Sequence, residues 1–515
     1  MLEVGSRVLK TPGHAARSVL WTLVPASHIK EIFYMDRTPL ARAAARGDTA
    51  AQCMNQNPYT VRVGGMRSLE DALRDMPPEL HIKILPAGRA LALNRTSKTT
   101  RMAVQKARVH AKIWKRGGVY FPDGIGLLER LNRLMAACNV TVLGLGHCEL
   151  GEGGARAMLE FLRRNTTLEN LDLSWNNLGC DGAQALAEAL RRNTTLTSLC
   201  LGRNDLGCDG ARALAEALLK NTTLRDLDLS SNKLGSHGAQ ALVEALLKNT
   251  TLRDLDLSWN NLGDGGAQAL AKTLRLTLSK LDLRGNYMGA GGTQGLAEAL
   301  CLNTTLRWLD LAYNDLGVYG AQALAKTLRL NTTLRVLDLS GNDLGVYGAQ
   351  ALAETLRLNT TLVFLELSYN YIGDDGVEAL AEALLGNTTL TSLNLIENEL
   401  GEDSGRTLAE TLRRNTTLTS LCLGSNDLGY DGAQALTETL RRNTTLTSLC
   451  WGGNDLGYDG AQASAETLRL NTTLRYLGLW ENGLGEDAGR ELAESLRLNT
   501  TLCEIDLGED EMGDD

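Results

Sequence analysis

Carboxylates at a fixed interval are the residues of this chain with the most chemistry to offer. Asp172, Asp228, Asp256, Asp282, Asp310, Asp338 and Glu366 each occupy the middle of a Leu-x-Leu tripeptide. Set side by side on one face, like charges repel and build negative potential, which suits a basic partner. Rings accompany them. Trp308, Tyr313, Phe364 and Tyr369 fall in the middle of the series, Trp175 and Trp259 nearer its start, and Tyr476 and Trp480 nearer its end. Aromatic anchors inside a charged rim are how protein interfaces concentrate binding energy. The chemistry these residues imply is recognition.

Catalysis lacks its parts. Six histidines (His14, His28, His81, His110, His147, His237) form no pair at metal-ligand spacing, and no glycine-rich phosphate loop, nucleophile elbow or paired zinc-type cysteine motif appears. We therefore expect no catalytic residue, no cofactor and no metal. Cys422 and Cys450 fall at equivalent positions of neighbouring repeats, where two thiols could pair or hold a soft metal. Those repeats are near copies, so duplication accounts for the pair.

The carrier of these residues must be repetitive. Asn-Thr-Thr recurs twelve times from Asn165 to Asn499, in steps of 28 residues except between Asn249 and Asn303, where one repeat lacks two residues near Leu276-Thr277. Within a unit, Leu168, Leu171 and Leu173 read as a short strand with Leu171 and Leu173 on one face. Asn176 and the turn Leu178-Gly179 follow. From Gly182 the period becomes helical, with Ala183, Leu186, Ala187 and Leu190 on one stripe. Asp181 is placed to cap that helix and Asn193 to end it in left-handed geometry.

Fourteen such units resemble the leucine-rich repeats of ribonuclease inhibitor and of the Ran GTPase-activating protein. The resemblance implies an α/β solenoid, a horseshoe with a parallel β-sheet on its concave wall and helices on its convex one. Spacing requires the same curvature, because strands sit about 4.8 Å apart and packed helices about 8–10 Å. Twelve asparagines from Asn176 to Asn482 should bond the backbone of adjacent turns. The Asn-Thr-Thr triplets match the glycosylation signal, but are read as helix ends leading into the next strand.

The first 139 residues behave differently. They hold 22 Lys and Arg against 10 Asp and Glu, whereas the remainder holds 30 against 51, so the overall charge of −9 conceals two regions of opposite sign. No secretory signal and no membrane-spanning run is seen, and the ten cysteines are scattered, which points to a cytoplasmic or nuclear protein with free thiols. Thr38 to Asp48 resembles the start of one ankyrin unit. Met76 to Leu85, with Leu91 to Arg101, resembles an F-box. That resemblance implies aliphatic helices that dock Pro78, Leu80, Ile84 and Leu85 on the adaptor of a cullin-type ubiquitin ligase, across residues 76–116. Lys98 to Arg116 reads as a basic helix with two apolar stripes, Val104, Ala107, Ala111 and Trp114 against Met102, Val109 and Ile113. Two stripes favour a packed helix over nucleic-acid binding. Gly124 to Cys138 reads as a helix capping the first strand.

We therefore expect three regions: a poorly defined stretch over 1–75, a helical F-box-like or capping segment over 76–138, and the repeat domain over 139–515. The function expected is an intracellular interaction scaffold. Its concave face, through Asp228, Asp256, Asp282, Asp310, Asp338, Glu366, Trp308, Tyr313, Phe364 and Tyr369, takes a basic protein, with substrate recognition for a ubiquitin ligase as one form of that role. A GTPase activator and a leucine-rich-repeat sensor without a nucleotide-binding domain are the alternatives.

Overall fold

Each repeat buries the side chains that the spacing selects. In the unit around Asn170–Asp172, Leu168, Leu171, Leu173, Leu178, Ala183, Leu186, Ala187 and Leu190 are all buried, while Asn170 and Asp172 flank Leu171 on the half-exposed face of a three-residue strand. Strand and helix each have one apolar side, and stacking repeat on repeat closes both into a continuous core. In the computed structural model the described residues are 80–86, 108–115, 131–132, 139–274 and 277–508. They fall into two compact units that meet in sequence between Thr355 and Leu356.

In the first unit β1 (Leu80–Pro86) pairs antiparallel with β2 (Arg108–Lys115), which pairs parallel with β3 (Asn139–Gly144). From β3 the chain alternates helix and parallel strand in order, beginning with Gly151–Arg164 and Asn170–Asp172 and reaching the strand Val336–Asp338. The second unit repeats the plan from Phe364–Glu366 to Glu504–Asp506. This is a leucine-rich-repeat solenoid.

β1 and β2 correct the reading of residues 76–138. Helices were expected over the F-box-like stretch and over Lys98 to Arg116, and strands stand in both places. The pattern Leu-His-Ile-Lys-Ile at 80–84 and Arg-Val-His-Ala-Lys-Ile at 108–113 alternates polar and apolar residues at the strand period, with β-branched residues that favour extended backbone. The edge of β3 supplies hydrogen-bond partners. Val109 and Ile113 from one stripe of the helical reading and Ala111 from the other are alternate residues of β2, and Met102, Val104 and Ala107 lie outside the described residues. Leu80, Ile84 and Leu85 lie on β1; Pro78 and the ankyrin-like Thr38 to Asp48 lie outside the described residues. Within the expected capping helix, Leu131 and Asn132 are helical and Leu131 is fully buried.

Asparagine does more than was expected of it, and at both ends of the helix. Asn176 is fully buried; its Nδ2 donates to the carbonyls of Leu145 and Leu173 at 2.9 Å each, and its Oδ1 accepts from the N–H groups of Cys148 and Leu150. The asparagine of each Asn-Thr-Thr spans repeats too. Asn193 donates to Leu162 O (3.1 Å) and accepts from Thr195 N and Leu196 N. At this point the backbone is extended rather than left-handed, with φ −79° at Asn165 and −76° at Asn249. The left-handed residues come after the strand instead, at Trp175, Asn177 and Gly179. Gly179 N–H bonds Asn204 O and starts the helix there, so Asp181 sits inside the first turn and caps nothing.

The amide ladder makes a quantitative expectation. Asn260 holds Leu229 O, Leu257 O and Ser258 O and accepts from Asn232 N and Leu234 N. Asn260→Ala leaves several buried backbone groups unpaired and should destabilise the first unit by about 2–3 kcal/mol. Chemical denaturation measures it, and a loss under about 0.5 kcal/mol means the ladder is ornamental.

One repeat is short. Its helix, Gly263–Ala271, has 9 residues against 12 to 14 elsewhere. The ladder nevertheless runs through it, since Asn260 N donates to Asn286 Oδ1 at 3.0 Å and Asn286 Nδ2 to Leu257 O at 3.0 Å.

Candidate protein-binding face

The acidic series occupies consecutive strands of the first unit in register. Cys200 pairs with Asp228, Asp228 with Asp256, Asp256 with Asp282, Asp282 with Asp310, and Asp310 with Asp338. Each carboxylate first serves the fold. Its Oδ1 accepts the N–H two residues on: Ser230 from Asp228, Ser258 from Asp256, Arg284 from Asp282, Ala312 from Asp310 and Ser340 from Asp338, at 2.9–3.0 Å. That bond turns the chain out of the strand. It does not need charge, because Asn394 makes it to Ile396 N at 3.0 Å in the second unit. The negative charge is surplus to the turn.

The charge is not evenly available. Asp310 and Asp338 are buried, and Arg284 Nη2 lies 2.9 and 2.6 Å from them. Burial works against the Arg284 charge, but Asp310, Asp338 and Asp282 outweigh it and hold its pKa well above the usual value. Burial pushes Asp310 up to about 6 in spite of Arg284, and Asp338 adds to the rise. Burial and then Asp228 bring Asp256 up to about 6. Asp282 is driven well above the ordinary range by burial and by Asp310 and Asp256. The row stores repulsion that protons relieve.

Arg284 was missed in the sequence, although Leu-Asp-Leu-Arg at 281–284 breaks the Leu-Asp-Leu-Ser default. Asp226 and Asp254 were missed as well. They precede the row by two residues, face the same way as Asp228 and Asp256, and pair with each other across the strands. Four carboxylates thus form a two-by-two block, with Asp282 beside it. Burial raises Asp254 as well, against a bond from Ser279 Oγ at 2.8 Å. On the helices opposite signs meet, where Arg191 holds Glu216 and Arg329 holds Glu354.

The expected rings divide between the units. In the first, Trp308 is half-buried with Lys280 Nζ 4.3 Å above it. Tyr313 is 37% exposed and stacks at 6.2 Å on Trp259, which is 44% exposed. Trp175 stacks on His147 at 4.7 Å and carries the Arg203 guanidinium at 4.1 Å. In the second unit Glu366 and Phe364 are buried; Glu366 accepts from Ser368 N and Asn394 Nδ2. Tyr369 and Trp480 pack on a buried cluster of Ile396, Cys422, Cys450 and Tyr476. Cys422 and Cys450 pair in register as free thiols, and burial pushes the Cys422 thiol well up, away from reactivity. Among the described residues no group of three or more His, Cys, Asp or Glu could hold a metal ion, and no helix is long and apolar enough to cross a membrane.

Comparison with known proteins follows the fold. A family model described as the NLRC3 LRR domain matches residues 125–515. No curated protein matches the chain. Among matching chains of solved structures is "Leiomodin-1 Actin-Binding Site 2 (ABS2)", 27% identical over 26% of this chain and 79% of that one, with a TM-score of 0.24.

Proposed function

The chain belongs to the NLRC3 leucine-rich-repeat-domain family through residues 125–515, and from that premise we propose that it is a scaffold that binds a basic protein on the open sheet face of its first unit. A protein-interaction role belongs to the repeat domain itself. What supports the face and the sign of the partner is one observation: Asp226, Asp228, Asp254 and Asp256 stand in a block, in register, with charge that the turns do not require. Charge of this kind sets association rate and salt dependence.

Affinity capture with the wild-type chain and with Asp228→Asn and Asp256→Asn combined tests the reading. Asparagine keeps the turn bond and removes the charge. The wild type should retain basic proteins that raised salt releases, and the variant should lose them. If capture is unchanged, and substitutions among the basic residues of 1–139 abolish it, the site belongs to the other part of the chain.

No observation favours the remaining readings. A ubiquitin-ligase substrate receptor rests on aliphatic helices within 76–116, where the described residues are strands. A GTPase activator and a sensor rest on resemblance of repeats alone.

A further inference from the structure

Two rings of the first unit already hold a cation supplied by a neighbouring repeat. Arg203 lies over Trp175 with Cζ 4.1 Å from the ring centroid, and Lys280 lies over Trp308 at 4.3 Å. Trp175 and Arg203 occupy the same slot of successive repeats, the first residue of the turn after the strand. There φ is positive throughout: 59° at Trp175, 57° at Arg203, 58° at Trp259, 64° at Gly285, 54° at Tyr313 and 61° at Gly341. The repeat therefore offers each of these side chains in the same way. Trp259 and Tyr313 differ from Trp175 in what comes next. Their following slots are Gly285 and Gly341, which bring no side chain.

Those glycines let the rings settle where they do. A Cβ on Gly285 would come within 2.4 Å of Trp259 Cε3, and one on Gly341 within 2.5 Å of Tyr313 Cδ1. Each ring lies flat on a bare backbone, and the two stack at 6.2 Å with 28° between their planes while remaining substantially exposed. The guanidinium closest in sequence, Arg284, is committed to Asp310 and Asp338. Asp254, Asp256 and Asp282 stand on the strands that lead into Trp259 and Gly285.

We propose that the Trp259–Tyr313 ledge receives an arginine side chain of the partner protein, stacked on the rings as Arg203 stacks on Trp175, with the neighbouring carboxylates answering its charge. The inference rests on the acidic-face reading and sharpens it from a basic partner to one that presents arginine. Arginine rather than lysine follows from chemistry. The planar, weakly hydrated guanidinium stacks on an aromatic face, whereas the ammonium is a strongly hydrated point charge.

Two labelled peptides of equal length and charge, nona-arginine and nona-lysine, separate the outcomes when titrated into the full chain. The arginine peptide should bind about fivefold tighter or more. Trp259→Leu with Tyr313→Leu, which keeps apolar packing on the two glycines, should bring it down to the lysine value and leave lysine binding unchanged. A Trp259→Ala variant provides a second reading should the leucines rearrange the turn. Equal binding of the two peptides, or equal weakening of both in the variants, overturns the ledge and leaves the acidic face standing. Binding of neither peptide overturns both.

Discussion

Leu171→Asp should unfold the repeats around it at temperatures where the parent is intact. Leu171 is 2% exposed, and the substitution removes its apolar burial while placing an unpaired carboxylate between two packed layers. Large-to-small loss at such a site alone is worth about 2–5 kcal/mol. Burying a charge adds to it, until the group takes up a proton or the strand leaves the sheet. We expect a loss of about 4 kcal/mol or more. Because each repeat contacts only its neighbours, the damage should appear as an early, partial transition rather than a uniform shift. Calorimetry and far-ultraviolet circular dichroism would show a separate low-temperature step, and a melting curve superimposable on the parent's would remove Leu171 from the core.

Arg284→Ala is the second large effect, and its size depends on pH. The substitution leaves Asp310 and Asp338 buried side by side without their shared cation. Breaking a buried pair in this way costs about 3 kcal/mol near neutrality. Asp310 already titrates at about 6 with Arg284 present, above its unfolded value of 3.8. A carboxyl whose folded pKa is raised binds its proton more tightly in the native state. The stability it contributes is therefore present below pH 4 and lost as pH rises through 6. Removing Arg284 extends that loss upward, so the deficit should be largest at pH 8 and shrink toward pH 5. Adding Asp310→Asn and Asp338→Asn should restore most of the stability at pH 8. Denaturation midpoints across this range decide it, and a deficit independent of pH argues against the buried carboxylates as its source.

The repeat was legible in the sequence because its signals are redundant: leucine spacing, asparagine position and period each specify the same unit. The N-terminal strands were not, because eight residues can satisfy strand and helix periods at once, and what selects the strand at Arg108–Lys115 is the edge of Asn139–Gly144, which composition cannot announce. The acidic row was legible as a row. Its division into a half-buried block and a neutralised pair was hidden by Arg284, one residue in a slot otherwise filled by serine, glycine or alanine in the first unit. Phe364, which is buried, and Tyr369, which is half-buried, were illegible in placement for a related reason. Departure from the repeat default marks a site as special, but does not say whether the departure faces solvent or fills a gap.

The short repeat has a consequence for how such a chain can diverge. Two residues are missing between Asn249 and Asn303, yet the amide bonds from Asn260 to Asn286 keep their usual lengths, and the shortening lies on the helical side, where Gly263–Ala271 has nine residues. A length change on the strand side would move every carboxylate beyond it out of register with its neighbours, and shift the interval at which a partner is read. The same change on the helix side alters only a local helix end. Insertions and deletions should therefore accumulate on one side of the solenoid alone, leaving the spacing of the recognition surface fixed while the opposite surface varies in length.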